Sequence, residues 1–284
     1  MSDEKFALPE STPRSSETTV NVGGLLLHIY GAAELTPAQK GDTVVLLHAH
    51  GRTRSHLDAA NIAHQLLHDI RAKGCRRGLV VAAFDNRNHG IRKIDDISIQ
   101  SWAGGNVHHA QDMAAMVDGI SLDLHGVVKY LSAYISSTLF TPTEFIASGV
   151  SLGGHATWNL LAMEPSIKVA IPIVGTTDLH ALLLDRVQSF LRTKDVPADA
   201  PEWPLEIQNL LKARDAVIAG IKGKKILILN GEVDAIVPDV FTKDWVEKYA
   251  ANNEVTYIHQ AETGHFLSFA GLNRMVEFIL PTLE

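Results

Sequence analysis

Short apolar runs of strand length alternate with longer helical patterns along most of this chain of 284 residues. The runs are rich in Val, Ile and Leu, as strands buried on both faces are. They are TVVLLHA (43–49), GLVVAAF (78–84), TEFIASGV (143–150), IKVAIPIV (167–174), KILILN (225–230) and EVTYIH (254–259). Strand–helix alternation of this kind predicts an α/β protein that has a mostly parallel sheet with helices on both faces.

The beginning of the chain has a different pattern. TTVNV (18–22) and LLLHIY (25–30) flank Gly23 and Gly24, which suit the turn of a two-residue hairpin. We expect this hairpin to add an antiparallel edge to the sheet. Residues 1–19 are polar and lack the apolar core of a secretion signal, so we expect a flexible N-terminal tail.

Residues 175–223 separate two predicted core strands by more than a connection needs. They contain two helical patterns on either side of the Pro-rich VPADAPEWP. We interpret this interval as a small helical cap inserted into a single domain over 20–284. The cap has five apolar residues that could line a pocket, Leu182, Leu183, Leu184, Phe190 and Trp203. Packing in the core would explain the apolar character of most of them.

Composition excludes several classes of partner. The chain has 25 Lys and Arg against 32 Asp and Glu, a net charge of −7, whereas nucleic-acid binding favours the opposite sign. No run reaches the roughly 18 apolar residues of a membrane helix. Cys75 is the single cysteine, which fits a reducing compartment. We expect a cytoplasmic protein, a monomer or homodimer, that acts on a small molecule without a cofactor or metal.

The motif Gly149-Val150-Ser151-Leu152-Gly153-Gly154 lies between a predicted strand and a predicted helix. A serine there is held on a sharp turn, where neighbouring side chains would collide with the strand and the helix unless they are glycine. The turn exposes the serine hydroxyl, and the helix N-terminus directs N–H groups at a developing negative charge. Ser151 is therefore the candidate nucleophile.

A serine hydroxyl needs a general base, and His265 follows the last predicted strand in a loop. Loops at strand C-termini are where open α/β sheets place their sites. The loop after the preceding strand, Asn230-Gly231-Glu232-Val233-Asp234-Ala235-Ile236-Val237-Pro238, supplies carboxylates. The order Ser151, Asp234, His265 is the one that this type of fold uses.

Over residues 20–284 the sequence resembles the α/β-hydrolase serine hydrolases of the esterase and prolyl-oligopeptidase-like branch. The matching strings are GVSLGG, GEVDAIVP, TGHF, FDNRNHG and the His-Gly of LLHAHGR. The resemblance implies that the acid is Asp234, with Glu232 as the alternative. It also implies an oxyanion hole made by the backbone N–H groups of Arg52 and Leu152. FDNRNHG departs from the family pattern at Asn88, where glycine is usual, but asparagine tolerates the left-handed backbone of such a turn.

Several polar residues near these motifs have no assigned chemistry. The Arg52 side chain either meets an anionic substrate, points to solvent or pairs with Asp85, and we favour a structural role. His48 and His50 form a His-x-His pair, for which pocket lining or packing is a better interpretation than a metal site. His108 and His109 are expected to border the pocket, with no role in the reaction.

The motifs together predict a serine hydrolase that cleaves a carboxylic ester or lactone through an acyl-enzyme. The alternative enzyme is a peptidase or amidase of the prolyl-oligopeptidase-like type, because the same three residues serve both reactions. The alternative outside enzymes is a non-catalytic ligand-binding member of the fold. The residues that bind the substrate are not identified by any motif.

Overall fold

A computed structural model describes residues 4–193 and 202–284 of the chain. Eight strands form one sheet. They are β1 (Glu17–Val22), β2 (Leu25–Tyr30), β3 (Thr43–Ala49), β4 (Gly78–Ala83), β5 (Pro142–Val150), β6 (Val169–Ile173), β7 (Lys225–Gly231) and β8 (Glu254–Gln260). The helices are α1 (Pro37–Gly41), α2 (His56–Arg71), α3 (His109–Tyr134), α4 (Leu152–Met163), α5 (Leu179–Thr193), α6 (Leu205–Ala219), α7 (Val240–Tyr249) and α8 (Phe269–Leu283).

The strands lie in the order β1-β2-β4-β3-β5-β6-β7-β8. The pairs from β4 to β8 are all parallel. The β1–β2 hairpin is antiparallel and joins β4 in an antiparallel pairing, so it forms one edge of the sheet. This arrangement confirms the predicted mostly parallel sheet and its antiparallel edge.

Helices cover both faces of the sheet, as predicted for strands that are apolar throughout their length. On one face α2 and α8 pack side by side over buried strand residues such as Leu46 and Leu229. On the other face α3, α4 and α6 cover residues such as Val45 and Ala147. Because β3 is buried at every position, its side chains contribute to both cores.

The hairpin turn is formed by the two glycines that the sequence indicated. Gly23 has φ 59° and Gly24 has φ 92°, and both angles lie in the left-handed region that other residues rarely adopt. The register pairs Val22 with Leu25, so the loop contains only these two residues.

The N-terminal segment differs from the loose tail expected over 1–19. Residues from Glu17 onward belong to β1, and the described residues before them lie against the domain. The N–H of Phe6 donates to the carbonyl of Leu267 at 2.8 Å, and the Phe6 ring packs edge-on against Phe269 at 5.2 Å. Thr12 is buried and donates to Gln65 at 2.6 Å. The expectation is therefore corrected for residues 5–16, because apolar and hydrogen-bonding side chains anchor a segment that is polar on average.

The helical patterns of the interval 175–223 form α5 and α6, and VPADAPEWP lies mostly outside the described residues. Leu182 and Leu183 of α5 are fully buried in the core, and Leu184, Phe190 and Trp203 pack against that core. α6 contacts α3 and α4. Among the described residues, no helix is long and apolar enough to cross a membrane.

Candidate active site

Ser151 occupies a sharp turn between β5 and α4. Its backbone has φ 57° and ψ −111°, a strained conformation for a residue that is not glycine. Its N–H donates to the carbonyl of Ile173 at 2.9 Å. A Cβ at Gly149 would lie 2.4 Å from the carbonyl oxygen of Gly153, and one at Gly153 would lie 2.0 Å from that of Ala49. The glycines of the motif are thus required by the close approach of β5, α4 and β3.

The structure brings the other two predicted residues to this serine. His265 lies in the loop between β8 and α8, and its Nε2 is 2.7 Å from Oγ of Ser151. Its Nδ1 is 2.7 Å from Oδ2 of Asp234, which lies in the loop between β7 and α7. The Asp234 side chain is fully buried, and that of His265 is 17% exposed. The predicted nucleophile, base and acid are therefore connected by two short hydrogen bonds.

The loop that holds the acid explains why Asp234 and not Glu232 reaches the histidine. The N–H groups of Ile236 and Val237 donate to Oδ1 of Asp234 at 2.8 and 2.9 Å, which leaves Oδ2 for the imidazole. Glu232 is exposed and accepts a hydrogen bond from the N–H of Glu262 at 3.0 Å. Of the two carboxylates considered, only Asp234 contacts the imidazole.

The predicted oxyanion loop passes beside Ser151, since a Cβ at Gly51 would lie 3.7 Å from Cβ of that serine. Nδ1 of His50 donates to the carbonyl of Gly51 at 2.8 Å, and Nε2 accepts from the N–H of Asn86 at 2.9 Å. The Gly51 carbonyl is thereby turned toward the His50 ring. In a trans peptide the next N–H, that of Arg52, points the opposite way.

Both predicted oxyanion donors are free to receive a negative charge. The N–H of Arg52 has no acceptor among the residues that the structure describes. Leu152 is the first residue of α4, so its N–H has no acceptor within the helix. The positive end of the α4 dipole adds to the attraction of an anion at this position.

Buried histidines around Ser151 are held in the neutral form. Burial lowers the pKa of His48 to about 4, and that of His50 also to about 4. Burial likewise lowers the pKa of His155, whose Nδ1 accepts from the N–H of Thr176 at 3.0 Å. His48 Nδ1 is 3.1 Å from Oγ of Ser148. These side chains line and support the site as neutral hydrogen-bonding groups.

The only metal-compatible group among residues 4–193 and 202–284 lies elsewhere. It consists of Glu17, His28 and His56, whose candidate ligand atoms lie within 4.8 Å of one another. The His28 and His56 rings stack at 3.8 Å, and His56 Nδ1 is 3.0 Å from Asp85. The His-x-His pair at 48 and 50 is not part of this group.

A cavity of about 370 Å³ opens above Ser151 and His265. Its wall includes residues 5–8 of the N-terminal segment, the loop 50–54 and Arg186 of α5. None of the five apolar residues named in the predicted cap lines it. They lie in the core or pack against it, which is the interpretation that the sequence favoured for most of them. The contribution of α5 is a charged side chain and not an apolar one.

The two histidines expected at the pocket border lie outside the cavity wall. His108 is exposed and places Nδ1 3.0 Å from Glu202. His109 is buried against Trp102, with ring centroids 5.0 Å apart, and its Nδ1 donates to the carbonyl of Gln100 at 2.8 Å. Both residues have a structural role.

The Arg52 side chain does not pair with Asp85. Its Nη1 donates to the carbonyl of Ile99 at 2.9 Å. Asp85 instead accepts from the N–H groups of His56 and Ile91, at 2.8 and 2.9 Å. Although burial raises the pKa of Asp85, these hydrogen bonds lower it below its usual value overall. Asn88 has φ 58°, so asparagine does adopt the left-handed turn at this position.

Much of the cavity wall was not predicted from the sequence, including Lys5–Leu8, Met113 and Arg186. The first lies in the segment that the sequence predicts to be a polar tail. The other two lie on long helices that are distant in sequence from the predicted motifs. No motif marks them. The alternating apolar pattern of Phe6 and Leu8 is the one local signal that this segment packs against something.

A scan against protein-family models and a search of curated proteins found no match. Solved structures do match over nearly the whole chain. TT1662 from Thermus thermophilus is 17% identical, with 96% of this chain and 99% of that chain covered and a TM-score of 0.67. The esterase Pf2001 from Pyrococcus furiosus is 15% identical, with 95% and 92% covered and a TM-score of 0.60.

A third similar structure is acetyl xylan esterase 1 from Thermoanaerobacterium, 14% identical, with 99% of this chain and 87% of that chain covered and a TM-score of 0.59. At such identities the similarity concerns the fold. The sheet order, the strained serine between β5 and α4 and the loops that follow β7 and β8 agree with it. The chain therefore has the α/β-hydrolase fold.

Proposed function

We propose that this protein is a serine hydrolase that cleaves a carboxylic ester or lactone through an acyl-enzyme. The observation that carries the proposal is the pair of 2.7 Å contacts that link Ser151 to His265 and His265 to Asp234. Hydrogen bonds between a nucleophile, a base and an orienting acid are the arrangement that nucleophilic acyl transfer needs.

In the first half-reaction, Oγ of Ser151 attacks the carbonyl carbon of the ester while His265 Nε2 accepts its proton. Asp234 holds the proton on Nδ1, which leaves Nε2 with a lone pair for the serine, and its charge stabilises the imidazolium. The imidazolium then protonates the leaving alcohol. Water, deprotonated by the same nitrogen, releases the acid in the second half-reaction.

The tetrahedral intermediates carry an oxyanion that the N–H groups of Arg52 and Leu152 bind. Both groups belong to backbone that neighbouring contacts fix, so they need little reorganisation during the reaction. Loss of one such donor in other serine hydrolases costs about 10²–10³ in kcat, which sets the scale of this contribution.

Similar structures support ester hydrolysis over peptide or amide hydrolysis and over a role in ligand binding alone. Two of the proteins compared above are described as esterases, one of them as an acetyl xylan esterase. The cavity of about 370 Å³ has room for a small or medium ester. No feature of the described residues favours a peptide substrate.

The proposal is tested with a panel of acyl esters, lactones and aminoacyl amides. Wild-type protein is expected to hydrolyse esters or lactones with an initial burst of alcohol, because the acyl-enzyme accumulates when deacylation is slower. Ser151→Ala is expected to lose about 10⁶ in kcat and to keep its circular dichroism spectrum.

Each alternative has its own signature in the same panel. Faster cleavage of the aminoacyl amides than of the matched esters would indicate a peptidase or amidase. Absence of turnover with every substrate, together with tight binding of an intact ester, would indicate a ligand-binding protein. Equal turnover by purified Ser151→Ala and wild type would refute the assignment of the nucleophile.

A further inference from the structure

The charge of the cavity is opposite to that of the whole chain. Four cationic side chains line the cavity, Lys5, Arg52, Arg54 and Arg186, against the single carboxylate of Asp58. The chain as a whole has a net charge of −7. Positive charge is therefore concentrated where the substrate enters, a distribution that raises the local concentration of anions.

Two of these cations are partly buried and form no ion pair with a carboxylate among the described residues. Arg186 Nη2 donates to the carbonyl of Ile236 at 2.6 Å, and Arg52 Nη1 donates to that of Ile99. Neither guanidinium forms an ion pair with any carboxylate in the described parts of the chain. At the mouth, by contrast, Arg54 is 3.6 Å from Asp58, which neutralises it.

The two arginines lie close enough to affect each other. Burial and the charge of Arg52 lower the pKa of Arg186 to about 10, although Asp234 and Asp185 act in the opposite direction. Burial also lowers the pKa of Arg52. Keeping two partly buried guanidinium groups close together is unfavourable without a counter-charge, so this part of the cavity favours an anion.

Among the described residues, no neighbouring side chain supplies the counter-charge for Arg52 and Arg186. His109 lies near both arginines, but burial first, and then their charges, lower its pKa to about 3, so it is neutral. Its Nε2 is buried without a hydrogen-bond partner among the described residues. Asp234, a buried carboxylate whose charge acts on Arg186, is already bound by His265 and two backbone N–H groups.

We infer that the substrate is an ester or lactone that carries a carboxylate group, which Arg52 and Arg186 bind while Ser151 attacks the ester carbonyl. Arginine suits this role because its planar guanidinium donates two parallel hydrogen bonds to a carboxylate. The inference rests on the proposed serine hydrolase function and names its substrate class.

The test uses two pairs of substrates that differ only in charge. Monoethyl adipate and its ω-carbamoyl isostere place the difference in the acyl part, and 4-acetoxybenzoate and 4-acetoxybenzamide place it in the alcohol part. We expect wild type to prefer the carboxylate in at least one pair by about 30-fold in kcat/KM, the size of one charge-assisted interaction. The preference is measured as the ratio of the two kcat/KM values.

Arg186→Gln is expected to reduce that ratio to near unity, and Arg186→Lys to keep an intermediate ratio because the positive charge remains. Arg192→Gln is the matched control, since it removes the same charge from the exposed side of the same helix, outside the cavity wall. We expect this control to keep the wild-type ratio.

Two results would overturn the inference: a wild-type ratio of one or less in both pairs, or a ratio that Arg186→Gln leaves unchanged. Labelling of Ser151 by a small neutral fluorophosphonate separates this failure from failure of the proposed function. A protein that is labelled but shows no preference for carboxylates remains a serine hydrolase with a different substrate. A protein that is not labelled at Ser151 loses both proposals.

Discussion

Acidification is expected to destabilise the fold, because several histidines are buried in the neutral form. His48 is 1% exposed and its pKa is lowered to about 4, whereas in the unfolded chain it returns to about 6.5. Between pH 6.5 and pH 4 the unfolded state binds a proton at His48 and the folded state does not. The contribution of neutral His48 to the free energy of unfolding is therefore fully present above pH 6.5 and is lost as the pH falls toward 4. The shift of about 2.5 pK units corresponds to about 3 kcal/mol, of which about 2 kcal/mol is lost by pH 5.

The measurement is urea unfolding followed by far-UV circular dichroism at pH 7.5 and pH 5. Wild type is expected to lose at least about 2 kcal/mol between the two, since His50, His109 and His155 act in the same direction. In His48→Gln this difference is expected to shrink by about 2 kcal/mol, whatever the substitution costs at pH 7.5. Equal pH dependence in variant and wild type would refute the reasoning that His48 is buried neutral.

Three further predictions concern the site and its walls. Asp234→Asn is expected to lower kcat about 10⁴-fold, because the imidazole is held in the wrong tautomer, whereas Glu232→Gln has little effect; ester kinetics in which Glu232→Gln is the crippling change would reassign the acid. Deletion of residues 1–8 removes one wall of the cavity and is expected to raise kcat/KM for long-chain acyl esters relative to acetyl esters. An unchanged rank order across the acyl series would show that this segment does not limit substrate size. Leu183→Ala is expected to cost about 2–5 kcal/mol in urea unfolding, because the side chain is fully buried, and to leave the substrate ranking unchanged; altered ranking at unchanged stability would place Leu183 in the substrate site.

The sheet was predictable from the sequence because each strand carries its own signal. All eight runs identified from the sequence overlap strands of the structure, since buried parallel strands need continuous apolar residues and their bounding turns need glycine or polar residues. The positions of Ser151, Asp234 and His265 could be predicted for a similar reason. Each follows a strand at its C-terminal end, where a parallel sheet brings successive loops together.

The cavity wall could not be predicted, because it depends on packing between distant parts of the chain. Leu183 and Arg186 lie one turn apart on α5, and only the docking of that helix decides which one faces the core and which one faces the site. The segment around Phe6 is polar on average, and the apolar Phe6 and Leu8 do not indicate which residues they meet, so its anchoring to Leu267 and Phe269 could not be predicted. Long-range contacts of this kind leave no periodic pattern in the sequence.

The nucleophile itself is tested most directly by reaction with a fluorophosphonate followed by peptide mass spectrometry. Phosphonylation needs a serine that a base activates, so the label reports the reactivity of the hydroxyl without knowledge of the substrate. We expect one label per chain on the peptide that contains Ser151, none in Ser151→Ala, and much slower labelling in His265→Ala. Labelling at another residue, or none in folded wild-type protein, would contradict the assignment of Ser151 as the nucleophile.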